Sequence, residues 1–165
     1  MENFDWTRFT VRIPVDAAKQ KLYNAWTIPA EIEKWFLRDA SFQDLEENPA
    51  DKTKPVAKGF SYAWQWYGYD VTEYGTVTEA NGDNFLAFTF AGDCIVEVRF
   101  IENENDGIIV VLTQHNIPTD ERNKQETRIG CHTGWSFFLV NLKSVYEGGV
   151  DLRNKNEQLK GMLNN

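Results

Sequence analysis

Hydrophobic and polar residues alternate near the start of the chain. Phe9, Val11 and Ile13 share one side of residues 4–14, and polar side chains occupy the other side. A period of two predicts a half-buried β-strand, because successive side chains of a strand point to opposite faces. Pro14 is expected to end this strand.

Helical spacing replaces the alternation in the next two segments. Residues 17–26 carry apolar side chains on one helical face, and Asp16 precedes them as the expected N-cap. A second short helix is predicted over 29–36, with Thr27 as its cap and a proline in its first turn.

A series of strands follows these helices. Residues 39–45 are predicted to form a short strand, and the segment 46–58, rich in charges and proline, an exposed loop. Connections rich in Gly, Asn and Asp at 81–83, 92–93 and 105–107 are typical of antiparallel hairpins. The pattern predicts a meander of five consecutive strands, at residues 60–67, 71–78, 85–91, 94–101 and 108–115.

The last part of the chain is polar and then helical. Residues 116–129 are predicted to be a polar connection, and residues 133–147 a long helix that ends at Gly148 and Gly149. Residues 150–165 are expected to add a short helix or to fray, and their apolar side chains would suit a lid or a dimer contact equally. The long helix carries a broad apolar stripe formed by Trp135, Phe138, Leu139, Leu142, Val145 and Tyr146.

This order of elements predicts an α+β fold. One strand, two short helices, a run of strands and one long helix fit a curved antiparallel sheet wrapped around the long C-terminal helix, rather than βαβ crossovers. A single domain over residues 1–165 is expected, with its core over 4–149 and a C-terminal extension over 150–165. An apolar cavity remains wherever the concave face of the sheet and the helix stripe do not meet completely.

Composition and charge narrow the functional classes. The chain has 165 residues, of which 42% are hydrophobic and 14% aromatic, enough for a core without disulfides or structural metals. Its 17 basic and 25 acidic residues give a net charge of −8, which speaks against binding to nucleic acid or to an anionic membrane surface. We find neither a secretory signal nor an apolar run long enough for membrane insertion, so the expected location is the cytoplasm.

Aromatic residues on the predicted strand and helix faces are the candidates for a ligand site. They could equally be plain core packing, since aromatic rings dominate protein cores. His115 could be a polar anchor that reaches into the cavity or a general base, or a rim histidine bonded to a backbone carbonyl. The predicted cavity-lining set is Trp35, Phe36, Tyr62, Trp64, Trp66, Phe88, Phe90, His115, Trp135, Phe138 and Leu142.

The two cysteines are weaker candidates for a functional site. The sequence assigns no metal, cofactor or catalytic residue. Cys94 is expected to be a small buried hydrophobe, and neither cysteine has a metal-finger spacing. Cys131 beside His132 is conceivable as a nucleophile with His115 as its base, or as a metal site with both histidines and a carboxylate. The alternative is that Cys131 and His132 lie at the start of the helix and have no chemical role.

Charged residues on the strand 94–101 also have two interpretations. Glu97 and Arg99 alternate with apolar residues, which predicts that they lie on the solvent face, where they could form a cross-strand charge pair. A charged group inside the cavity is the functional alternative.

Several segments together resemble one known family. They are Ala25-Trp26-Thr27, Glu33-Lys34-Trp35-Phe36, Tyr62-Ala63-Trp64-Gln65-Trp66, Leu112-Thr113-Gln114-His115, and Gly134-Trp135 with Leu142 and Glu147-Gly148-Gly149. In this order they are similar to the signature of the activator of heat-shock-protein ATPase homologue family, over residues 8–149. The pattern departs from that signature at Gln114, between Thr113 and His115.

The resemblance implies a fold and a kind of site. The family belongs to the helix-grip (START-like, SRPBCC) superfamily, which also includes lipid-transfer domains, the birch-pollen-allergen type and polyketide cyclases. It implies a hydrophobic cavity between the sheet and the long helix that binds a small apolar ligand. The founding eukaryotic member is a co-chaperone with a further N-terminal domain, and we expect no counterpart of that domain within these 165 residues.

Three functional hypotheses follow. The favoured one is a binding domain that holds a lipid-like or aromatic small molecule in the cavity. The second is a co-chaperone-like regulator of a heat-shock chaperone ATPase, supported by the resemblance alone. The third is an enzyme of the cyclase or hydrolase type that uses the same cavity. A monomer and a homodimer fit the sequence equally.

Overall fold

One antiparallel sheet of seven strands forms the framework of the protein, which the computed structural model describes over residues 4–104 and 107–164. The strands are β1 Phe9–Val15, β2 Asp39–Gln43, β3 Ser61–Gln65, β4 Thr72–Ala80, β5 Phe85–Phe90, β6 Cys94–Asn103 and β7 Gly107–His115. Their spatial order is β1-β7-β6-β5-β4-β3-β2. Strands β2 to β7 therefore form a meander, and β1 lies at one edge beside β7.

Helices precede and follow the meander. Helix α1 spans Lys19–Thr27 and α2 spans Pro29–Trp35, both between β1 and β2. Helix α3, Glu121–Asn123, continues through a π-helical segment, Lys124–Ile129, into α4, Gly130–Tyr146. In the described part of the chain, none of these helices is long and apolar enough to cross a bilayer.

The long helix packs its apolar stripe against the concave face of the sheet. Trp135, Leu139 and Leu142 are buried on α4, opposite buried side chains of β6 and β7 such as Val98 and Leu112. This arrangement confirms the predicted helix-grip fold and the five-strand meander. Of the predicted turn at 105–107, residues 105 and 106 lie outside the described residues.

The two predicted N-caps are wrong. Helix α1 begins after Ala18 without a side-chain cap, and the Asp16 backbone N–H donates to Glu147 at 2.8 Å instead. Thr27 is the buried last residue of α1, and its hydroxyl donates to the Tyr23 carbonyl at 2.9 Å. Ile28 precedes α2. Both side chains were expected to cap helix ends, but tertiary packing sets where these helices begin.

Two predicted boundaries also differ from the structure. Pro14 lies inside β1, opposite Ile109, because β1 is an edge strand and a proline there interrupts no inner ladder. The helical region begins at Glu121 within the segment 116–129 that was predicted to be a connection, and Asp120 caps it by accepting from the Asn123 N–H at 3.1 Å. These first turns lack an apolar stripe, since Thr127 is their only buried residue between Glu121 and Ile129.

A close contact between β3 and β4 makes one glycine essential. Gly75 lies opposite Tyr62, and a Cβ at Gly75 would overlap the Tyr62 ring. That ring cannot swing away, because it stacks on Trp64 at 3.9 Å and its hydroxyl donates to the Thr89 carbonyl at 2.5 Å.

We therefore expect Gly75→Ala to lower the free energy of unfolding by about 1–3 kcal/mol, the usual cost of overpacking. Urea denaturation of Gly75→Ala and of Gly82→Ala measures the difference. Gly82 lies in a turn at positive φ, where a Cβ meets no atom within 4 Å, so its variant reports backbone strain without overlap. An unchanged stability of Gly75→Ala would contradict the packing described here.

Candidate functional site

An apolar cavity of about 590 Å³ lies between the sheet and α4. The strand ends of β4 and β5 and the first half of α4, residues 130–138, form its walls. Tyr69 and Val71 from the β3–β4 connection, with Met162 and Leu163 from the C-terminal segment, surround its mouth. Six further aromatic residues line the interior: Phe36, Trp66, Phe90, Trp135, Phe137 and Phe138.

The cavity lies beside the end of the backbone ladder between β4 and β5. The paired positions of these two strands run only from Val77 opposite Phe88 to Ala80 opposite Leu86. Beyond Val77, a side chain replaces the backbone acceptor of the neighbouring strand, since the Thr76 N–H donates to the Thr89 hydroxyl at 2.9 Å. The lining residues Glu73, Phe90 and Ala91 lie beyond this end of the ladder.

Small residues on α4 keep this space open. Gly130 and Gly134 lie one helical turn apart along the wall. A Cβ built at Gly134 would meet nothing within 4 Å. The aromatic rings pack on one another around the space, with Phe90 and Trp135 at 5.1 Å and Phe36 and Phe138 at 4.9 Å between ring centroids.

The structure divides the predicted lining residues into three groups. Phe36, Trp66, Phe90, Trp135 and Phe138 line the cavity. Five others are buried in the core and do not line it: Trp35, Tyr62, Trp64, Phe88 and Leu142. Of that set, His115 alone belongs to a different part of the surface.

His115 lies on the outer face of the sheet. Its Nε2 is 3.5 Å from Glu97 on the neighbouring strand, and its Nδ1 is 3.1 Å from the Asn116 side chain. Glu97 also pairs with Arg99 of its own strand at 3.2 Å, so this charge pair lies along β6 rather than across strands. His115, Glu97 and Asn116 border a separate surface depression beside Thr7, as expected for a solvent face.

Gln114 occupies the inward position that His115 does not. It is fully buried, and its Oε1 accepts from the Trp135 indole N–H at 3.0 Å. Its Nε2 has no hydrogen-bond partner among the described residues. The signal for this position was the alternation of β7, because Val110, Leu112 and Gln114 share the inner face.

Glu73 is the lining residue with the most distinctive chemistry, and the sequence analysis missed it. On β4, Glu73 points inward like Val77, whereas Tyr74 points outward and is 71% exposed. Burial raises the pKa of the Glu73 carboxyl, although a hydrogen bond from the Ala91 N–H at 2.6 Å counteracts this. Alternation on β4 was the signal that could have found it.

The two cysteines lie near each other on the buried side of the site. Cys94 is buried, as expected, and Cys131 lines the cavity. Burial raises the pKa of the Cys131 thiol to about 11, which keeps it protonated at neutral pH. His132 is directed away and packs edge-on against Phe9 at 5.2 Å. Among the described residues, no group of three His, Cys, Asp or Glu side chains could hold a metal ion.

The C-terminal segment reaches the cavity mouth from a buried anchor. The Arg153 side chain is 2% exposed and donates to the carbonyls of Leu37 and Glu33, both at 2.9 Å. Asp151 binds its guanidinium at 2.7 Å. Beyond this anchor, Lys160 pairs with Asp70 at 2.7 Å near the mouth. The described residues 150–164 contain no helix, in contrast to one of the two predicted outcomes.

A family model covers most of this architecture. The model described as activator of Hsp90 ATPase homolog 1-like protein matches residues 16–147. This range includes every strand and helix that lines the cavity among the described residues, and it leaves out β1 and the C-terminal segment. No curated protein sequence is significantly similar to this chain.

Solved structures share the fold at low sequence identity. Protein SSP2350 from Staphylococcus saprophyticus has a TM-score of 0.67 and 19% identity, covering 88% of this chain and 96% of that chain. The Aha1 dimer from Colwellia psychrerythraea has a TM-score of 0.67 and 20% identity, covering 86% and 97%. DynU16, from the dynemicin biosynthetic locus, has a TM-score of 0.69 and 18% identity, covering 90% of this chain and 50% of that chain. These likenesses concern the fold alone.

Proposed function

The chain belongs to the activator of Hsp90 ATPase homolog 1-like family, and we propose that it binds a largely apolar small molecule, aromatic or lipid-like, in the cavity between the sheet and α4. The cavity carries this proposal. Its volume of about 590 Å³ lies within the range of small-molecule sites. Protein interiors are close-packed, so a space of this size lined by aromatic rings favours a function that uses it.

Except for the Glu73 carboxyl, the polar groups of the lining favour binding rather than catalysis. Cys131 is a protonated thiol at neutral pH, and neither histidine is among the lining residues. An enzyme of the cyclase or hydrolase type needs an activated nucleophile or a positioned proton donor near the reacting atom. The lining has aromatic walls with few polar groups, which is typical of sites that hold and orient an apolar molecule.

The co-chaperone alternative has weaker support. The family description names an activator of the Hsp90 ATPase, and Aha1 is the printed name of a structural neighbour. Those words describe other proteins, and a surface that regulates a chaperone needs no internal cavity. A chaperone therefore remains a second candidate partner. We rank ligand binding above it because a regulator of a chaperone has no need of the cavity.

Native mass spectrometry of the purified protein is the first test of the proposal. We expect a reproducible small-molecule adduct that is lost on unfolding. N-phenyl-1-naphthylamine, an uncharged aromatic dye, tests the same cavity in solution. Its fluorescence should rise on addition of the protein, and its binding should raise the melting temperature because it binds only the native state.

Gly134 provides a matched pair of variants for this test. Gly134→Leu places an apolar side chain in the open space and should weaken dye binding about tenfold or more by occupying the cavity. Gly134→Ala should keep binding and stabilise the helix by about 0.5–1 kcal/mol. Fluorescence titration and thermal denaturation measure both effects. Equal dye affinity in Gly134→Leu and the parent protein would place the dye elsewhere and count against the cavity.

A further inference from the structure

We propose that the preferred occupant of this cavity is an organic cation, in which a protonated amine or quaternary ammonium on an aromatic or aliphatic body pairs with Glu73. This inference rests on the proposed function and specifies the class of ligand for the same site. Three observations support it: the position of Glu73, the charge balance of the lining and the arrangement of the aromatic rings.

The Glu73 carboxylate faces the cavity from the inner side of β4. Its strand neighbour Trp64 is buried directly opposite on β3. One hydrogen bond holds the carboxylate in place, from the Ala91 N–H to Oε1, beyond the end of the ladder between β4 and β5. One oxygen therefore links β4 to the chain that follows β5, and the other has no protein donor among the described residues.

No protein cation compensates this carboxylate. Within residues 4–104 and 107–164, no Lys, Arg or His lines the cavity, and no ion pair includes Glu73. The other charged lining residue is also acidic: Glu126, which is 63% exposed and pairs with Arg122 at 2.8 Å. A half-buried carboxylate without a counter-ion is energetically unfavourable, and a bound cation removes that cost.

The aromatic walls are suited to the same charge. Trp66, Phe90 and Trp135 line the space that Glu73 faces, with centroid distances of 6.3 Å between Trp66 and Phe90 and 5.1 Å between Phe90 and Trp135. The faces of aromatic rings attract ammonium groups, and rings that surround a cation are a known mode of ammonium recognition. The same site repels fatty-acid and phosphate anions, because both of its charges are negative and the chain carries a net charge of −8.

A series of probes with one aromatic body and three charges tests this inference. The probes are 2-naphthylmethylamine, 2-naphthylmethanol and 2-naphthoate, titrated calorimetrically into the full chain at neutral pH. We expect the amine to bind at least about tenfold more tightly than the alcohol, and the carboxylate to bind most weakly. Equal affinities of amine and alcohol would overturn the inference.

Variants assign the preference to Glu73. Glu73→Gln keeps an oxygen that accepts the Ala91 N–H, and should lower amine affinity about tenfold while alcohol affinity changes less than about threefold. Glu79→Gln removes an exposed carboxylate of the same strand that pairs with Lys58 and does not line the cavity, and it should leave the preference for the amine in place. An amine preference that persists in Glu73→Gln would contradict the inference. Since Glu73→Gln removes an unpaired buried charge, its melting temperature should be equal or higher, which separates binding from folding.

The outcomes also separate this inference from the proposed function. If the alcohol binds, and Gly134→Leu abolishes that binding, the cavity binds ligands whether or not the amine is preferred. If none of the three probes binds, and the native protein carries no adduct, both the inference and the proposed function are wrong.

Discussion

Trp135→Ala should lower the free energy of unfolding by about 3–5 kcal/mol, as expected for truncating a large buried aromatic side chain. Trp135 is 2% exposed and packs against Trp26, Phe36 and Phe90, with ring centroids 5.9, 5.0 and 5.1 Å away. It also donates to Gln114 at 3.0 Å. Its removal therefore deletes ring contacts and leaves both polar ends of a buried amide without a partner. Urea denaturation, with the m-value as a check on two-state unfolding, measures the loss.

Two further variants separate the contributions of packing and of the hydrogen bond. Trp135→Phe keeps a ring but loses the indole N–H, and should cost about 1–3 kcal/mol for the unsatisfied Gln114 amide. Trp64→Ala removes an indole of equal size that lies in the core and does not line the cavity, so it should cost as much as Trp135→Ala. Only Trp135→Ala joins the new void to the ligand cavity. A loss below about 1 kcal/mol in Trp135→Ala would mean that this wall is loosely packed.

Arg153→Leu should be the most damaging substitution outside the aromatic core, with a loss of about 3 kcal/mol. The guanidinium is buried and holds two backbone carbonyls, of Leu37 and Glu33, together with Asp151. Removing it takes this donor from the two carbonyls, leaves Asp151 with Lys155 and Asn141 as side-chain donors, and frees the chain that leads to the cavity mouth. We expect earlier urea unfolding and faster proteolysis of the C-terminal segment. An intact melting temperature with unchanged proteolysis would show that the segment is held by other contacts.

Lys155 provides a matched control for Arg153→Leu. Lys155 pairs with the same Asp151 but is 50% exposed, so Lys155→Gln should change stability by less than about 1 kcal/mol.

Burial alone would raise the pKa of Asp151, but the bonds from Arg153 and Lys155 outweigh it and hold the pKa well below its usual range. A carboxyl whose pKa is lowered by folding stabilises the folded protein fully above its unfolded-state pKa of about 4. This contribution to the free energy of unfolding is lost progressively as the pH falls from there towards the folded-state pKa. The difference between the parent protein and Arg153→Leu should therefore shrink between pH 6 and pH 3.

These predictions connect stability to the proposed binding site. Arg153 anchors the segment that carries Met162 and Leu163 to the mouth of the cavity, and Trp135 forms its inner wall. Arg153→Leu should therefore also change access to the cavity, whereas Lys155→Gln should not. Dye titration of the two variants compares this directly.

Alternation and helical spacing were sufficient to predict the architecture. The meander β3–β7 and the stripe of α4 each bury a face that repeats at the period of the element, so they were visible in the sequence. The turns at 121–129 were missed because they bury no apolar face. The predicted caps were wrong because the Asp16 N–H donates to the Glu147 carboxylate and the Thr27 hydroxyl donates to the Tyr23 carbonyl within α1.

The composition of the site was only partly visible in the sequence. The sequence by itself determined which faces of the strands and helices are apolar. It therefore predicted that aromatic residues such as Phe36 and Trp135 lie between the sheet and the long helix. Only the tertiary structure decided which of them border open space, because that depends on how the helices, the strand ends and the C-terminal segment pack around the cavity. The same packing places Glu73 against the cavity, which no Lys, Arg or His of the described residues lines, and the fold of the C-terminal segment brings Arg153 into the core. Local pattern determines the faces of strands and helices, whereas the gaps between elements arise from how whole elements pack.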